Sequence, residues 1–338
     1  MLIEHYGFRE HPFLMTPDAR LFFASEGHSR AYAHLIYGLS QREGFVIITG
    51  EVGAGKTTLI ERLCGELDPN LYAVARVVTS QVGGDDLLRL AAGAFRAPMD
   101  GSKAQVLQGI GEALKAGSAA GRRHLLIVDE AQALSPEALE ELRMLSNVTD
   151  GPRALLQTLL LGQPQLRRII ASPDLDQLRQ RVLASYHLSG LSAEETHAYV
   201  AHRMRAVGWE GRPEWAAGAL DLVHRFAGGI PRRINRLCSR ILLSGALEGA
   251  EVLTPAMVEA TAVELDDDLG GGGASGLLGA ANTAEPLFAP APPGGEDGRS
   301  MLDRLERRIE TLEQSVQRRE RVFNRLMDLV SEMERRAP

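Results

Sequence analysis

No apolar run in this chain approaches the roughly 18 residues that a membrane-spanning helix requires. The longest stretches, around Phe45–Thr49, Leu125–Val128 and Leu159–Leu161, are the length of strands. The N-terminus lacks the basic-then-apolar pattern of a signal peptide. Cysteine is scarce: only Cys64 and Cys238 occur, each inside an apolar helical pattern, which predicts reduced core thiols and excludes a disulfide-stapled fold. The nine histidines show no metal-ligand spacing; His197 and His202 stand five apart and no HExxH motif exists. These absences predict a soluble cytoplasmic protein, brought to the inner membrane by a partner where it acts there. With 338 residues and 44% apolar content, the chain can bury one sizeable core and a satellite domain.

A basic excess is missing too, since the net charge is −7. Its distribution matters more than its total. Residues 266–300 carry six acids against Arg299 alone, so the first 265 residues are close to neutral and can still present a basic face. Charge therefore does not decide the partner.

What is present is decisive. Phe45–Thr49 is an apolar strand that breaks into Gly50-Glu51-Val52-Gly53-Ala54-Gly55, followed by Lys56-Thr57-Thr58 and an amphipathic helix. That order is the phosphate-binding P-loop. The glycines let successive backbone N–H groups turn inward, and the helix adds the positive end of its dipole. In this reading Lys56 reaches the β- and γ-phosphates of a nucleoside triphosphate and the Thr57 hydroxyl holds Mg²⁺.

The second element is His124–Val128, an uninterrupted apolar run expected of a parallel strand buried on both faces, ending in Asp129-Glu130-Ala131-Gln132. Carboxylates at the carboxyl end of such a strand lie in the crevice where open α/β sheets bind ligands. Asp129 then orders the Mg²⁺ shell, and Glu130 polarises the attacking water as general base.

Strand and helix patterns alternate through residues 1–191, the signature of a helix-covered parallel sheet. Strands are predicted at Leu71–Thr79, Arg153–Leu161 and Ser185–Leu191. Helices are predicted at Ala31–Leu39, Asp85–Phe95, Lys103–Lys115, Pro136–Ser146, Leu166–Ala171 and Leu175–Leu183. The aromatic lead-in with Phe8, Phe13 and Phe22-Phe23 either crosses an adenine base or packs on the sheet edge. From Ser192, whose Ser192-Ala-Glu-Glu195 reads as a capping box, the pattern is helical through residue 265, with helices at Pro213–Phe226, Pro231–Leu247 and Thr254–Leu265. Residues 266–300 are rich in Asp, Gly, Ala and Pro and read as a disordered linker. Residues 301–338 carry Leu302, Leu305, Ile309, Leu312 and Val316, then Phe323, Leu326, Val330 and Met333, a spacing that predicts a coiled-coil or amphipathic helical tail for a protein partner or self-association.

A helical lid after the last strand points to the AAA+ class of α/β P-loop folds. Three positions extend that reading. Gln163 ends the strand expected beside the Asp129-Glu130 strand and is placed to touch the γ-phosphate or the attacking water. Arg181, with Arg179 as the nearby alternative, is placed to enter a neighbouring subunit's nucleotide. Arg232, at the start of a lid helix, is placed to reach the nucleotide of its own chain. Such arginines stabilise charge spread over the transferring phosphoryl group.

At this point the chain resembles the general secretion pathway protein A (ExeA/GspA) group of AAA+ ATPases, with relatives in pilus biogenesis and exosortase-linked exopolysaccharide loci. The likeness covers about residues 1–265. It rests on His5-Tyr-Gly-Phe8, Pro12-Phe13, Thr16-Pro17-Asp18, the Gly44–Thr58 loop, Val128–Gln132 and Leu142–Asn147. Gly162–Leu166, Leu178–Val182, Tyr186–Leu188 and Gly229–Asn235 complete it. The resemblance implies ATP rather than GTP, and assembly into a ring or helical filament with an arginine supplied in trans. Secretion members continue into a membrane span and a peptidoglycan-binding domain, whereas this sequence continues into the linker and heptad tail, closer to the exopolysaccharide branch. The implied activity is ATP hydrolysis driving oligomerisation and remodelling of a secretion, pilus or export assembly. Two alternatives stand. Arg232, Arg236 and Arg240 form one stripe along a lid helix and fit a DNA-binding ATPase of the transposition-regulator type, filamentous on DNA. A slow, nucleotide-gated scaffold is the other.

Overall fold

The computed structural model describes residues 2–14, 19–78 and 83–268. The expected coiled-coil tail and all but the first three residues of the expected linker lie outside the described residues. Asp266, Asp267 and Asp268 instead complete the helix Pro255–Asp268. The described chain forms two compact units, one of residues 19–191 with 230–232, the other of residues 2–14, 192–229 and 233–268.

The first unit is built on seven strands: β1 (Phe45–Gly50), β2 (Tyr72–Val78), β3 (Arg123–Asp129), β4 (Thr149–Asp150), β5 (Arg153–Ala154), β6 (Leu156–Gly162) and β7 (Val182–Leu188). Five of them make one parallel sheet in the order β2-β3-β6-β1-β7. The three inner strands are buried almost along their whole length, which is why they read as unbroken apolar runs. Side chains alternate between the faces. Phe45, Ile47, Leu126, Val128 and Leu160 enter one core with Leu87, Ile110, Leu139 and Leu142. Val46, Ile48, Leu125, Ile127, Leu159 and Leu161 enter the other, with Leu35 of helix Glu26–Gln41 and Leu59 and Leu63 of helix Lys56–Glu66. The approach on this second face is close: a Cβ on Gly38 would lie 2.2 Å from Val46 Cγ2.

Two sequence expectations are corrected here. The strand expected over Arg153–Leu161 is two elements: β5 turns back on β4 as a hairpin, and β6 begins at Leu156. The helix expected over Leu175–Leu183 stops at Arg179, and Val182 and Leu183 open β7, because the sheet edge at Phe45 captures Val182.

The second unit is helical, with Ala193–Ala206, Ala219–Ala227, Pro231–Glu248 and Pro255–Asp268 around one small parallel bridge of β8 (Glu214–Trp215) and β9 (Val252–Leu253). The Ser192 capping box forms in full. The helix expected from Pro213 begins only at Ala219, since residues 214–215 pair with β9. Residues 2–14, grouped by sequence with the sheet domain, belong to this unit. The Arg203 guanidinium is buried and donates to the carbonyls of Pro12 (2.8 Å) and Leu14 (3.2 Å) and to the Tyr199 hydroxyl (3.0 Å). Among the described residues no helix is long and apolar enough to cross a membrane.

Candidate nucleotide-binding site

Parallel register brings the carboxyl ends of β1, β3, β6 and β7 together, so Gly50, Asp129, Gln163 and Leu188 end on one edge of the sheet. Between β1 and helix Lys56–Glu66 the chain passes through Gly53 (φ 83) and Gly55 (φ 100), left-handed conformations that glycine adopts without strain. Gly50 is required for a different reason, since a Cβ there would lie 2.6 Å from the Leu188 carbonyl oxygen.

Lys56, the first residue of the helix, is 6% exposed. Its ammonium donates to the carbonyls of Gly50 (2.7 Å) and Glu51 (3.1 Å), closing the loop around itself. Burial pushes its pKa below the usual lysine value. The carboxylates of Glu130, Asp129 and Glu51 oppose that shift, and the positive charge of Arg232 adds to it. Val52 is exposed and Ala54 is buried beneath the loop. The Thr57 hydroxyl donates to Asp129 Oδ2 at 3.4 Å, and Thr58 follows one residue further along the helix.

Asp129 closes β3, and its Oδ1 accepts the backbone N–H of Glu130 at 2.9 Å. Glu130 itself has φ 54, a left-handed conformation costing a non-glycine residue on the order of 1–3 kcal/mol, of the kind that gathers at functional sites. Its carboxylate is held by two amides: Gln132 Nε2 at 2.6 Å and Gln163 Nε2 at 3.3 Å. The other end of the Gln132 carboxamide accepts the Gln163 backbone N–H at 2.9 Å.

Arg232 also belongs to this unit. Its backbone N–H donates to the Gly53 carbonyl at 3.2 Å, and a Cβ on Gly53 would lie 2.3 Å from Arg232 Cβ. Arg181 does not enter this site. Its carbonyl accepts from Phe45 N–H at the amino end of β1, and its guanidinium donates to Ser146 Oγ at 2.8 Å, so it lies at the opposite end of the sheet. Arg179 is exposed and paired with Asp176 at 2.7 Å.

Three residues near the loop escaped the sequence reading. Gln132 was legible only as part of the strand's acidic end. His28 is buried, with its Nδ1 2.7 Å from Ser25 Oγ and its Nε2 so near Gly55 that a Cβ there would lie 2.5 Å away. His187 Nδ1 lies 3.1 Å from the Thr49 hydroxyl, and burial lowers its pKa. The helix Glu26–Gln41 packs on the sheet through Ala31, Leu35 and Leu39 and places His28 against the loop, whereas Phe8 and Phe13 of the aromatic lead-in belong to the second unit.

The residues present suit a Mg²⁺-bound nucleotide. Lys56 and Arg232 bring positive charge to the loop beside the carboxylates of Glu51, Asp129 and Glu130, and the Thr57 hydroxyl lies against Asp129. Among the described residues no cluster of three or more His, Cys, Asp or Glu could enclose a metal by itself. A Mg²⁺ ion held by Thr57 and Asp129 would take its remaining oxygens from phosphates and water.

Comparison with known proteins agrees with this geometry. Residues 39–170 match the family model of the AAA domain. The chain is 38% identical over 267 residues to general secretion pathway protein A of Aeromonas hydrophila, across 78% of this chain and 48% of that protein. It thus spans about half the length of that curated relative. Among solved structures, the Aeropyrum pernix ORC2 protein in ADPNP–ADP complexes superposes with a TM-score of 0.55 at 17% identity, covering 75% of this chain and 71% of that one. Cdc6p of Pyrobaculum aerophilum superposes with a TM-score of 0.58 at 14% identity, covering 75% and 70%. These likenesses establish an AAA+ fold, a five-stranded parallel sheet with a helical lid.

Proposed function

We propose that this chain, an AAA-domain protein of the general secretion pathway protein A family, binds ATP with Mg²⁺ at the Gly50–Thr58 loop and hydrolyses it. Turnover then drives oligomerisation and remodelling of a secretion, pilus or exopolysaccharide-export assembly. The observation that carries the catalytic part is the Glu130 carboxylate, held by two side-chain amides one residue beyond Asp129.

In this reading the Gly53, Ala54 and Gly55 backbone and Lys56 bind the phosphates, and Thr57 and Asp129 hold Mg²⁺. The bound cation neutralises phosphate charge. Glu130 takes the proton of the attacking water at its carboxylate, and Gln163 orients that water. Arg232 adds positive charge from the chain's own side of the loop. Arg181, remote from its own loop, is available to a neighbouring subunit, which makes assembly a condition of turnover.

The relative's printed name supports a role in secretion, and the target assembly is proposed by analogy with it. A DNA-coating ATPase is the second reading, favoured by Arg232 and Arg236 on one exposed helix face. Arg240, the third member of that stripe, is paired with Asp268 at 2.9 Å, which weakens it.

Negative-stain microscopy of Glu130→Gln with Mg-ATP, with and without duplex DNA, separates the two. Closed assemblies indifferent to DNA support the export reading. Filaments that form only along DNA replace it.

A further inference from the structure

At the end of the sheet opposite the nucleotide loop, the segments preceding β1, β3 and β6 line a half-open cleft of about 480 Å³, within the size range of small-ligand sites. Four arginines line it, Arg42, Arg122, Arg123 and Arg153, against a single acid, Glu43. Among the described residues none of the four arginines forms an ion pair with any acid, Glu43 included. Elsewhere on this protein exposed arginines do find acids, as Arg30, Arg62, Arg179 and Arg212 show.

The lining is fixed from below. Gln157 is buried and its Nε2 donates to the carbonyls of Gly38 (2.6 Å) and Glu43 (3.0 Å), pinning the turn that carries Arg42 onto the start of β6. Arg123 is oriented by Tyr72: Nη1 donates to the phenol oxygen at 3.0 Å, and the guanidinium carbon stands 5.5 Å from the ring centroid. His124 is buried beside them and donates from Nδ1 to the Leu155 carbonyl at 3.2 Å. Burial, and to a smaller extent the positive charge of Arg122, hold its pKa below the usual histidine value against the raising effect of its bond to the Leu155 carbonyl.

Several arginines around a solvent-open cleft, with three charges in excess, match a ligand with many oxygens and more than one negative charge. A single carboxylate would leave most of that charge uncompensated. We propose that this cleft is a second anion site, binding a phosphate-bearing ligand independently of the nucleotide loop. The phosphates can belong to a small phosphorylated molecule or to a nucleic-acid backbone.

The test uses the full chain carrying Lys56→Ala, which disables the nucleotide loop, titrated calorimetrically with inorganic tripolyphosphate. Arg122→Ala and Arg153→Ala are then added together. Both side chains are exposed and hydrogen-bonded to no described group, so an unchanged melting temperature will show that the fold survives. Binding to Lys56→Ala that weakens about tenfold or more in the arginine variant is the expected result, the loss that one or two charge-assisted hydrogen bonds give. Arg122→Lys with Arg153→Lys should recover part of it, since charge returns without the fork.

Repeating the titration with short duplex DNA identifies the source. Salt-steep binding that the arginine variant loses assigns a nucleic-acid backbone, and its absence assigns a small phosphate. Either no tripolyphosphate binding to Lys56→Ala, or equal binding after the arginines are removed, overturns the proposal.

Discussion

Gln132 and Glu130 are joined side chain to side chain, Nε2 to Oε2 at 2.6 Å, while the same carboxamide accepts the backbone N–H of Gln163 at 2.9 Å. One residue thereby fixes both the proposed base and the strand end that carries its polar neighbour. Gln132→Ala should leave ATP affinity within about twofold and lower turnover by about tenfold to a hundredfold, the size of a misplacement effect. Parallel binding and single-turnover assays check this. A matching loss of affinity would show that Gln132 only supports the fold of the loop.

Arg181 offers a second test. Arg181→Ala should retain nucleotide binding and lose hydrolysis by on the order of 10³, as expected when an arginine delivered in trans is removed. Mixing it with Glu130→Gln should restore part of the turnover, because a mixed interface then pairs an intact Glu130 with an intact arginine. The same substitution removes the bond to Ser146, which should cost about 1 kcal/mol of stability. A melting curve separates that effect from the catalytic one.

Gly38 tests the packing that sets β1 in place. A Cβ there meets Val46 Cγ2 at 2.2 Å inside a fully buried layer, so Gly38→Ala should destabilise the sheet unit by about 1–3 kcal/mol through overpacking. Chemical denaturation measures it directly. No loss would mean that helix Glu26–Gln41 slides freely on β1.

Acidification provides a fourth. His124, His187 and His11 all have pKa values lowered below 6.5 in the folded protein, with burial the largest cause in each. The unfolded chain therefore binds protons first as pH falls, so the stability these groups contribute is complete above 6.5 and is lost as pH drops through the folded values. Melting temperature should fall from pH 7 towards pH 5, and His124→Gln should flatten the slope.

Much of this arrangement is written in contiguous residues. The glycine loop and Asp129-Glu130 are legible because strand, turn and helix occur in unbroken order, and their chemistry depends on neighbours in the chain. The start of β7 is less legible: Val182 and Leu183 satisfy a helix or a strand equally, and only pairing with Phe45 decides. His187 approaches Thr49 through the register of β1 against β7, which no local pattern records. The placement of residues 2–14 depends on carbonyls at Pro12 and Leu14 accepting from Arg203, and backbone acceptors leave no mark in residue identity.

The most direct test of the account is steady-state ATP hydrolysis, with ATP binding measured alongside, for the wild-type chain, Lys56→Ala and Glu130→Gln. The account predicts turnover in the wild type alone, tight binding retained in Glu130→Gln, and binding abolished in Lys56→Ala. Undiminished hydrolysis in Glu130→Gln, or near-normal ATP affinity in Lys56→Ala, would contradict it.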